Sequence, residues 1–190
     1  MNKAKWLAAV LSVSSMLVAA PSFAAATEGA LQLGLGFRYG KELNDGDLNP
    51  WGTGIGLEAG YTLPVLPIYV GGNAEYFFGG TLESPLGNVG TVKLDANIWQ
   101  LSAEGGYDFG LGDHVVLRPK LGLGLAHLST KSCVTGLPCG EDSASKPLIA
   151  PGAKLILMFS RFELSFDGRY AVVTSDPTSK AFIFSVGIGF

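Results

Sequence analysis

Eight segments of period-2 apolar alternation, a strict order of long and short connections, and a final segment ending in Phe190 predict an all-β chain. The fold class is an eight-stranded antiparallel up-and-down transmembrane β-barrel. Alternation sends residues i, i+2 and i+4 to one face of a strand. A closed barrel is also the one sheet that crosses a bilayer with every backbone group satisfied.

Residues 1–24 read as a signal peptide that is removed. Lys3 and Lys5 precede an apolar run from Trp6 to Ala20, Pro21 breaks it, and Ser22-Phe23-Ala24 carries the small-x-small cleavage pattern. Cleavage falls after Ala24, with Ala26 as the competing position, and leaves residues 25–190 as one barrel domain. Loss of Lys3 and Lys5 takes the formal net charge from −3 to −5, which argues against nucleic acid as a partner. Charged residues make up 15% of the chain, below the roughly 25% of soluble domains. No later apolar run approaches the ~18 residues of a spanning helix.

The strands follow in order. Leu31, Leu33, Leu35, Phe37 and Tyr39 oppose Gln32, Gly34, Gly36 and Arg38. Ile55, Leu57, Ala59, Tyr61 and Leu63 oppose Gly56, Glu58, Gly60 and Thr62. The third segment, Ile68 to Phe78, sets Ile68, Val70, Ala74 and Tyr76 against Gly71, Asn73 and Glu75. The fourth, from about Leu94 to Phe109, sets Trp99, Leu101, Ala103 and Tyr107 against Gln100, Ser102, Glu104 and Asp108. The fifth, Val115 to Leu128, sets Leu117, Leu121, Leu123 and Leu125 against Arg118, Lys120, Gly122 and Gly124. The sixth, Leu148 to Met158, is blurred, with Ala153, Leu155 and Leu157 opposite Gly152 and Lys154. The seventh is sharp, with Phe162, Leu164, Phe166 and Tyr170 opposite Glu163, Ser165, Asp167 and Arg169. The eighth sets Phe182, Phe184, Val186, Ile188 and Phe190 against Ala181, Ile183, Ser185, Gly187 and Gly189.

Connections 40–53, 79–93, 129–147 and 171–180 are long, and 64–67, 110–114 and 159–161 are short. A transmembrane barrel has short periplasmic turns and longer extracellular loops. The faces opposite the apolar stripes are mostly Gly, Ser, Thr and Asn with isolated charges, too sparse for a water-facing wall, so the apolar stripes face lipid. Phe37, Tyr39, Tyr76, Phe78, Tyr170 and Phe182 form an aromatic girdle toward the loops. Tyr61, Tyr107, Phe109, Phe162 and Phe190 form a second toward the turns. Pro119 and Pro151 fall inside neighbouring strands, where a proline removes a ladder hydrogen bond, so a bulge is expected at one or both.

The inward face then holds Arg38, Arg118, Lys120, Lys154 and Arg169 with Glu58, Glu75, Glu104, Glu163 and Asp167. Balanced charges in a narrow lumen predict a salt-bridged plug, because an unpaired buried charge costs several kcal/mol. A narrow channel for small solutes is the alternative use of such a lumen. Cys133 and Cys139, in CVTGLPC, predict a loop disulfide in an oxidising compartment. No cofactor and no metal are implied, since the cysteines have no third ligand nearby. His127 and Ser129 end the fifth segment on its outward face, with Glu141 or Asp142 in the loop beyond. A His beside a Ser, oriented by an acid, is the constellation that activates a hydroxyl toward an ester.

Taken together, the signal peptide, the eight strands and the terminal aromatic resemble the small eight-stranded outer-membrane β-barrel family (OmpX, Ail and OmpA membrane-domain type). The resemblance implies residence in the outer membrane of a Gram-negative cell as a monomer, among outer-membrane lipid and lipopolysaccharide. It also implies insertion by the outer-membrane assembly machinery, which reads a last strand such as Phe182, Phe184, Val186, Ile188 and Phe190. Relatives of this kind include adhesins and envelope-stabilising proteins. The role implied is therefore non-enzymatic, structural or exercised through four extracellular loops toward an unknown ligand. His127 and Ser129 also resemble the His-x-Ser pair of the lipid A deacylase family. Those enzymes follow the serine with Asn, where Thr130 stands here, and carry the pair nearer the C-terminus.

Overall fold

Every alternating segment forms a strand in the computed structural model, which describes residues 29, 31–44, 48–85, 90–134, 136, 138–175 and 178–190. The segment read as a signal peptide lies outside these residues. The strands are β1 Leu31–Glu42, β2 Gly52–Thr62, β3 Ile68–Pro85, β4 Thr91–Tyr107, β5 Phe109–Gly112, β6 Val115–Val134, β7 Gly140–Met158, β8 Glu163–Val173 and β9 Ser179–Gly189. β5 continues the line of β4 after a break at Asp108, and both pair with β6. Eight staves therefore make the wall. All neighbours are antiparallel, β1 pairs with β9, and β4 pairs with β6, which closes the barrel.

The register sorts the faces. Leu33↔Ala59, Leu35↔Leu57 and Phe37↔Ile55 on β1 and β2 are outward pairs. Leu33, Leu35, Leu57 and Phe37 are all exposed, whereas Arg38, Glu75, Gln100, Arg118 and Arg169 are buried. The polar side is inside and the apolar side outside, as lipid rather than water requires. Phe190 extends the closing seam, exchanging backbone bonds of 2.9 and 3.1 Å with Leu33.

Neither proline makes the expected bulge. The β6–β7 ladder is unbroken from Val115↔Leu157 to Ser132↔Gly140 and includes Pro119↔Ala153 and Leu121↔Pro151. The gaps lie on the far sides of both strands. β6 pairs stop at Gly106↔Lys120 and resume in the same register at Phe109↔Leu117. β7 pairs stop at Ile149↔Val172 and resume at Gly152↔Arg169, again without a shift. Each proline turns its missing donor away from the other, so the ladder opens locally and the register survives. Among the pairings described, the irregularities are a bulge between Phe77 and Gly80 and one at the turn between Gly110 and Gly112. Gly79 sits in the first with φ +69°, and a Cβ there would overlap the carbonyl of Ala96.

Two of the long connections are shorter than the sequence reading has them. β3 and β4 stay paired out to Pro85↔Thr91, and β6 and β7 out to Ser132↔Gly140. β4 and β6 pair as far as Val92↔Val134, so the two hairpins form one four-stranded extension on one side of the mouth. On the other side the walls stop at Glu42, Gly52, Val173 and Ser179. From the Leu125↔Pro147 pair to Val134, β6 carries roughly 30 Å of strand at ~3.3 Å per residue. The Cys133–Cys139 disulfide staples the tip of the β6–β7 hairpin.

Candidate functional site

The lumen is filled in tiers. At the extracellular end Trp51, fully buried, packs edge-to-face on Phe77 with ring centroids 5.3 Å apart. Ile98, Ala126, Leu148 and Ile183 complete that apolar cap, and Leu128 packs against it. Trp51 is fixed from the rim: its Nε1 donates to Glu42 Oε2 at 2.8 Å, and Glu42 also accepts from Ser179 Oγ at 3.0 Å. First and last extracellular loops are thus tied to one carboxylate.

Below the cap, Glu75 accepts from Arg38 Nε at 2.6 Å and from Arg169 Nη2 and Gln100 Nε2. In the next tier Lys120 lies between Glu104, at 3.0 Å, and Asp167, while Asn73 Nδ2 donates to Glu104 at 2.5 Å. Lys154 then meets Glu58 at 2.8 Å, and the Tyr69 hydroxyl donates to the same carboxylate at 3.2 Å. Gly60 and Gly71 make room for that ring, since a Cβ at either would overlap it. Arg118 lies 3.7 Å over the Tyr69 ring and bonds Asp108 at 2.5 and 2.8 Å and Gln32 at 3.0 Å. Val116, Ile156 and Met158 close the periplasmic end with a second apolar cluster. Glu163 is half-buried at that mouth, beside Lys154, Ser165 and Asp167 around a void of about 10 Å³.

All ten charged residues of the sequence reading lie on the inward face, and ion pairs join nine of them. That reading omitted Asp108 as a partner, although alternation had put it on the polar face. Its signal was that face together with Arg118 ten residues on. Trp51 left no signal, because one aromatic between Pro50 and Gly52 carries no period.

On the outer wall the extension carries a second polar group. Trp99 and His127 are cross-strand partners and stack, with centroids 5.3 Å apart and planes at 27°. β6 does not end here but runs on for seven residues beyond His127. His127 Nδ1 bonds Ser145 Oγ at 2.8 Å across the β6–β7 pair. Ser129 instead faces Asn97 and Ser143 in register. Glu141 is engaged by Lys131 at 2.7 Å. This bond lowers the Glu141 pKa and raises that of Lys131 from their ordinary values. The structure therefore brings His127 to Ser145, and Glu141 to Lys131. Among the described residues no group of three or more His, Cys, Asp or Glu is arranged to hold a metal. A cleft of about 540 Å³ opens between these side chains.

The model of the outer membrane protein β-barrel domain matches residues 9–190. The chain belongs to that family. This outer-membrane barrel has no detectable match among curated proteins. Its fold is similar to that of Ail, the attachment invasion locus protein of Yersinia pestis, solved in complex with the heparin analogue sucrose octasulfate. The TM-score is 0.57 at 20% identity, over 84% of this chain and 95% of that one. It is also similar to Neisserial surface protein A, with TM-score 0.56 and 14% identity over 84% and 95% of the two chains. A major outer membrane protein of Thermus thermophilus gives 0.56 and 14%, over 85% and 99%. At these identities the likeness is one of fold. The protein resides in the outer membrane.

Proposed function

We propose that the barrel is a non-enzymatic surface-interaction protein that presents a rigid, disulfide-stapled extension above the membrane and conducts nothing through its lumen. The observation that carries this reading is the continuation of β3, β4, β6 and β7 past the rim as one paired sheet. A sheet projected into water orders many residues, and loops alone would have closed the wall with less. Two apolar caps around paired charges support a structural lumen, since a water-filled channel needs a continuous polar path.

In this reading residues 1–24 are removed on export, and Phe182, Phe184, Val186, Ile188 and Phe190 serve as the assembly signal. Ail is described in complex with a sulfated sugar, but the extension here carries Lys93, Lys131 and Lys146 against Glu83, Asp95, Glu141 and Asp142. A mixed, slightly acidic surface does not favour a polyanion, so the surface partner of this chain is not of that kind.

The test has two arms. Planar bilayers containing the protein should stay without stable openings, and reproducible large openings would sink the closed-lumen reading. Cells displaying the full chain or one with both hairpins cut back to short turns are compared on immobilised matrix proteins. Trimming should abolish attachment, and equal attachment by both would remove the surface role.

A further inference from the structure

Pairing within the lumen leaves one carboxylate over. Below the upper cap stand the five cations of the sequence reading and, with Asp108, six carboxylates. Each cation bonds at least one carboxylate, and each carboxylate but Glu163 bonds a cation. Among the described residues no ion pair or hydrogen bond joins Glu163; Arg161, in the turn before β8, is exposed and does not reach it.

Glu163 stands at the void of about 10 Å³ on the lumen side of β1, β8 and β9. Glycines keep that space clear. A Cβ at Gly189 would lie 2.5 Å from Glu163 Oε1, and one at Gly187 would lie 3.0 Å from Ser165 Oγ. Ser185 also lines the void, and its Oγ is buried without a hydrogen-bond partner. Ser165 Oγ donates its hydrogen to the Gly187 carbonyl at 3.4 Å, which leaves its lone pairs to accept.

The other charges at the void are already engaged. Arg38 is held by Glu75 at 2.6 Å, and Lys154 by Glu58 at 2.8 Å. Glu58 takes Lys154 and the Tyr69 hydroxyl on the same oxygen, Oε1. Asp167 meets Lys120 through Oδ2, while its Oδ1 lies 3.2 Å from Arg169 Nε without hydrogen-bond geometry. The void is thus bordered by two cations and three carboxylates, a surplus of one negative charge.

That surplus, the donors and the size select one class of ligand. The donors are carboxylate and hydroxyl oxygens with no His or Cys, which suits a hard cation. A void of this size takes one sphere as large as a water. Bare sodium or potassium is no larger, whereas magnesium parts reluctantly with its waters. A water there would leave the surplus charge uncompensated in a narrow lumen.

We infer that the void binds a single dehydrated monovalent cation, sodium or potassium, held by Glu163, Ser165 and Ser185. The ion enters from the periplasmic mouth past Glu163 and completes the charge balance of the plug. The charge tiers and the upper cap lie beyond it, so it is bound and not conducted.

The test uses the mature chain refolded in zwitterionic micelles. Choline chloride is replaced stepwise by sodium or potassium chloride at constant ionic strength, because choline is too large for the void. Two quantities are read: the amide resonances of positions 165 and 185, and the midpoint of the heat-dependent gel mobility shift. Sodium or potassium should move both amides saturably and raise the midpoint, as a ligand of the folded state does. Glu163→Gln should abolish the response, and Ser185→Ala should weaken it roughly tenfold through loss of one neutral ligand to a charge. Gly34→Ala supplies a variant that keeps every charge and donor. Its Cβ would make only ordinary contacts, at 3.7 Å to Glu58 and 3.8 Å to the Ile188 carbonyl, while taking up the void, so it too should abolish binding. Asp113→Asn, in an exposed periplasmic turn, serves as control and should respond as the unaltered chain does. The absence of a saturable shift with either ion overturns the inference. So does an unchanged response in Glu163→Gln, or magnesium binding more tightly at the same amides. Those outcomes leave the surface role standing, because that role is read from trimming of the extension.

Discussion

Arg169 on β8 and Glu75 on β3 bond each other across the lumen, although three staves of the wall separate their strands. Glu75 also takes Arg38 from β1 and Gln100 from β4, so one carboxylate on β3 gathers side chains from three other strands. Such a hub fills the lumen and ties opposite walls together.

Removal of that carboxylate leaves Arg38 and Arg169 buried with one acceptor fewer. Glu75→Ala should therefore lose about 3–5 kcal/mol of stability, measured by urea unfolding in micelles. Glu75→Leu joined to Arg169→Met should recover part of it, because a buried apolar pair of similar volume needs no partner. Equal loss in both variants would contradict a network held by paired charge.

Trp51 is the plug of the upper cap. Trp51→Ala should cost about 3–5 kcal/mol through the cavity it leaves. It should open no ion conduction in planar bilayers, since the charge tiers and the lower cap remain. A conducting Trp51→Ala barrel would show that the cap alone seals the lumen.

Gly79 holds the bulge at which β3 leaves the wall and enters the extension. Its φ of +69° and the nearby Ala96 carbonyl leave no space for a side chain. Gly79→Ala should destabilise by more than about 1 kcal/mol and loosen the β3–β4 hairpin in hydrogen exchange. Faster exchange confined to the periplasmic turns would argue against this role.

The Lys131–Glu141 bond should respond to pH at the surface of the extension. Glu141 has a lowered pKa, so its contribution is complete above the ordinary 4.5 and fades as pH falls through the lower folded value. Lys131 has a raised pKa, so its contribution is complete below 10.5 and fades as pH climbs past that. The pair should therefore hold through the neutral range. Carboxyl NMR titration of Glu141 should show its pKa return upward in Lys131→Ala, and no movement would break the assignment.

The barrel was legible in the sequence wherever one face of a strand met lipid and the other met the lumen. The stripe from Leu31 to Tyr39 and the one from Phe182 to Phe190 fixed faces and pairing, because a slip of one residue would turn every leucine inward. The same logic failed above the rim. Thr81–Pro85, Ser129–Val134 and Gly140–Pro147 have water on one side and little burial on the other, so no period-2 signal marks them as strands, and they read as loops. His127 and Ser129 suffered most from this. Their neighbours in sequence suggested a pair, while the β6–β7 register gave the imidazole to Ser145.

Sequence by itself determined the wall: its strand count, its inside and outside, and the list of charges that must be paired within it. These follow from local alternation, and alternation needs no knowledge of what lies across the lumen. Only the tertiary structure decided which charges meet, where Trp51 seats, and that two hairpins join into one extension. Lys154 and Glu58, one of the charged pairs, are 96 positions apart in the chain. Such contacts depend on the shear of a closed barrel, which sets the height of each strand against the one opposite and leaves no trace in any single segment.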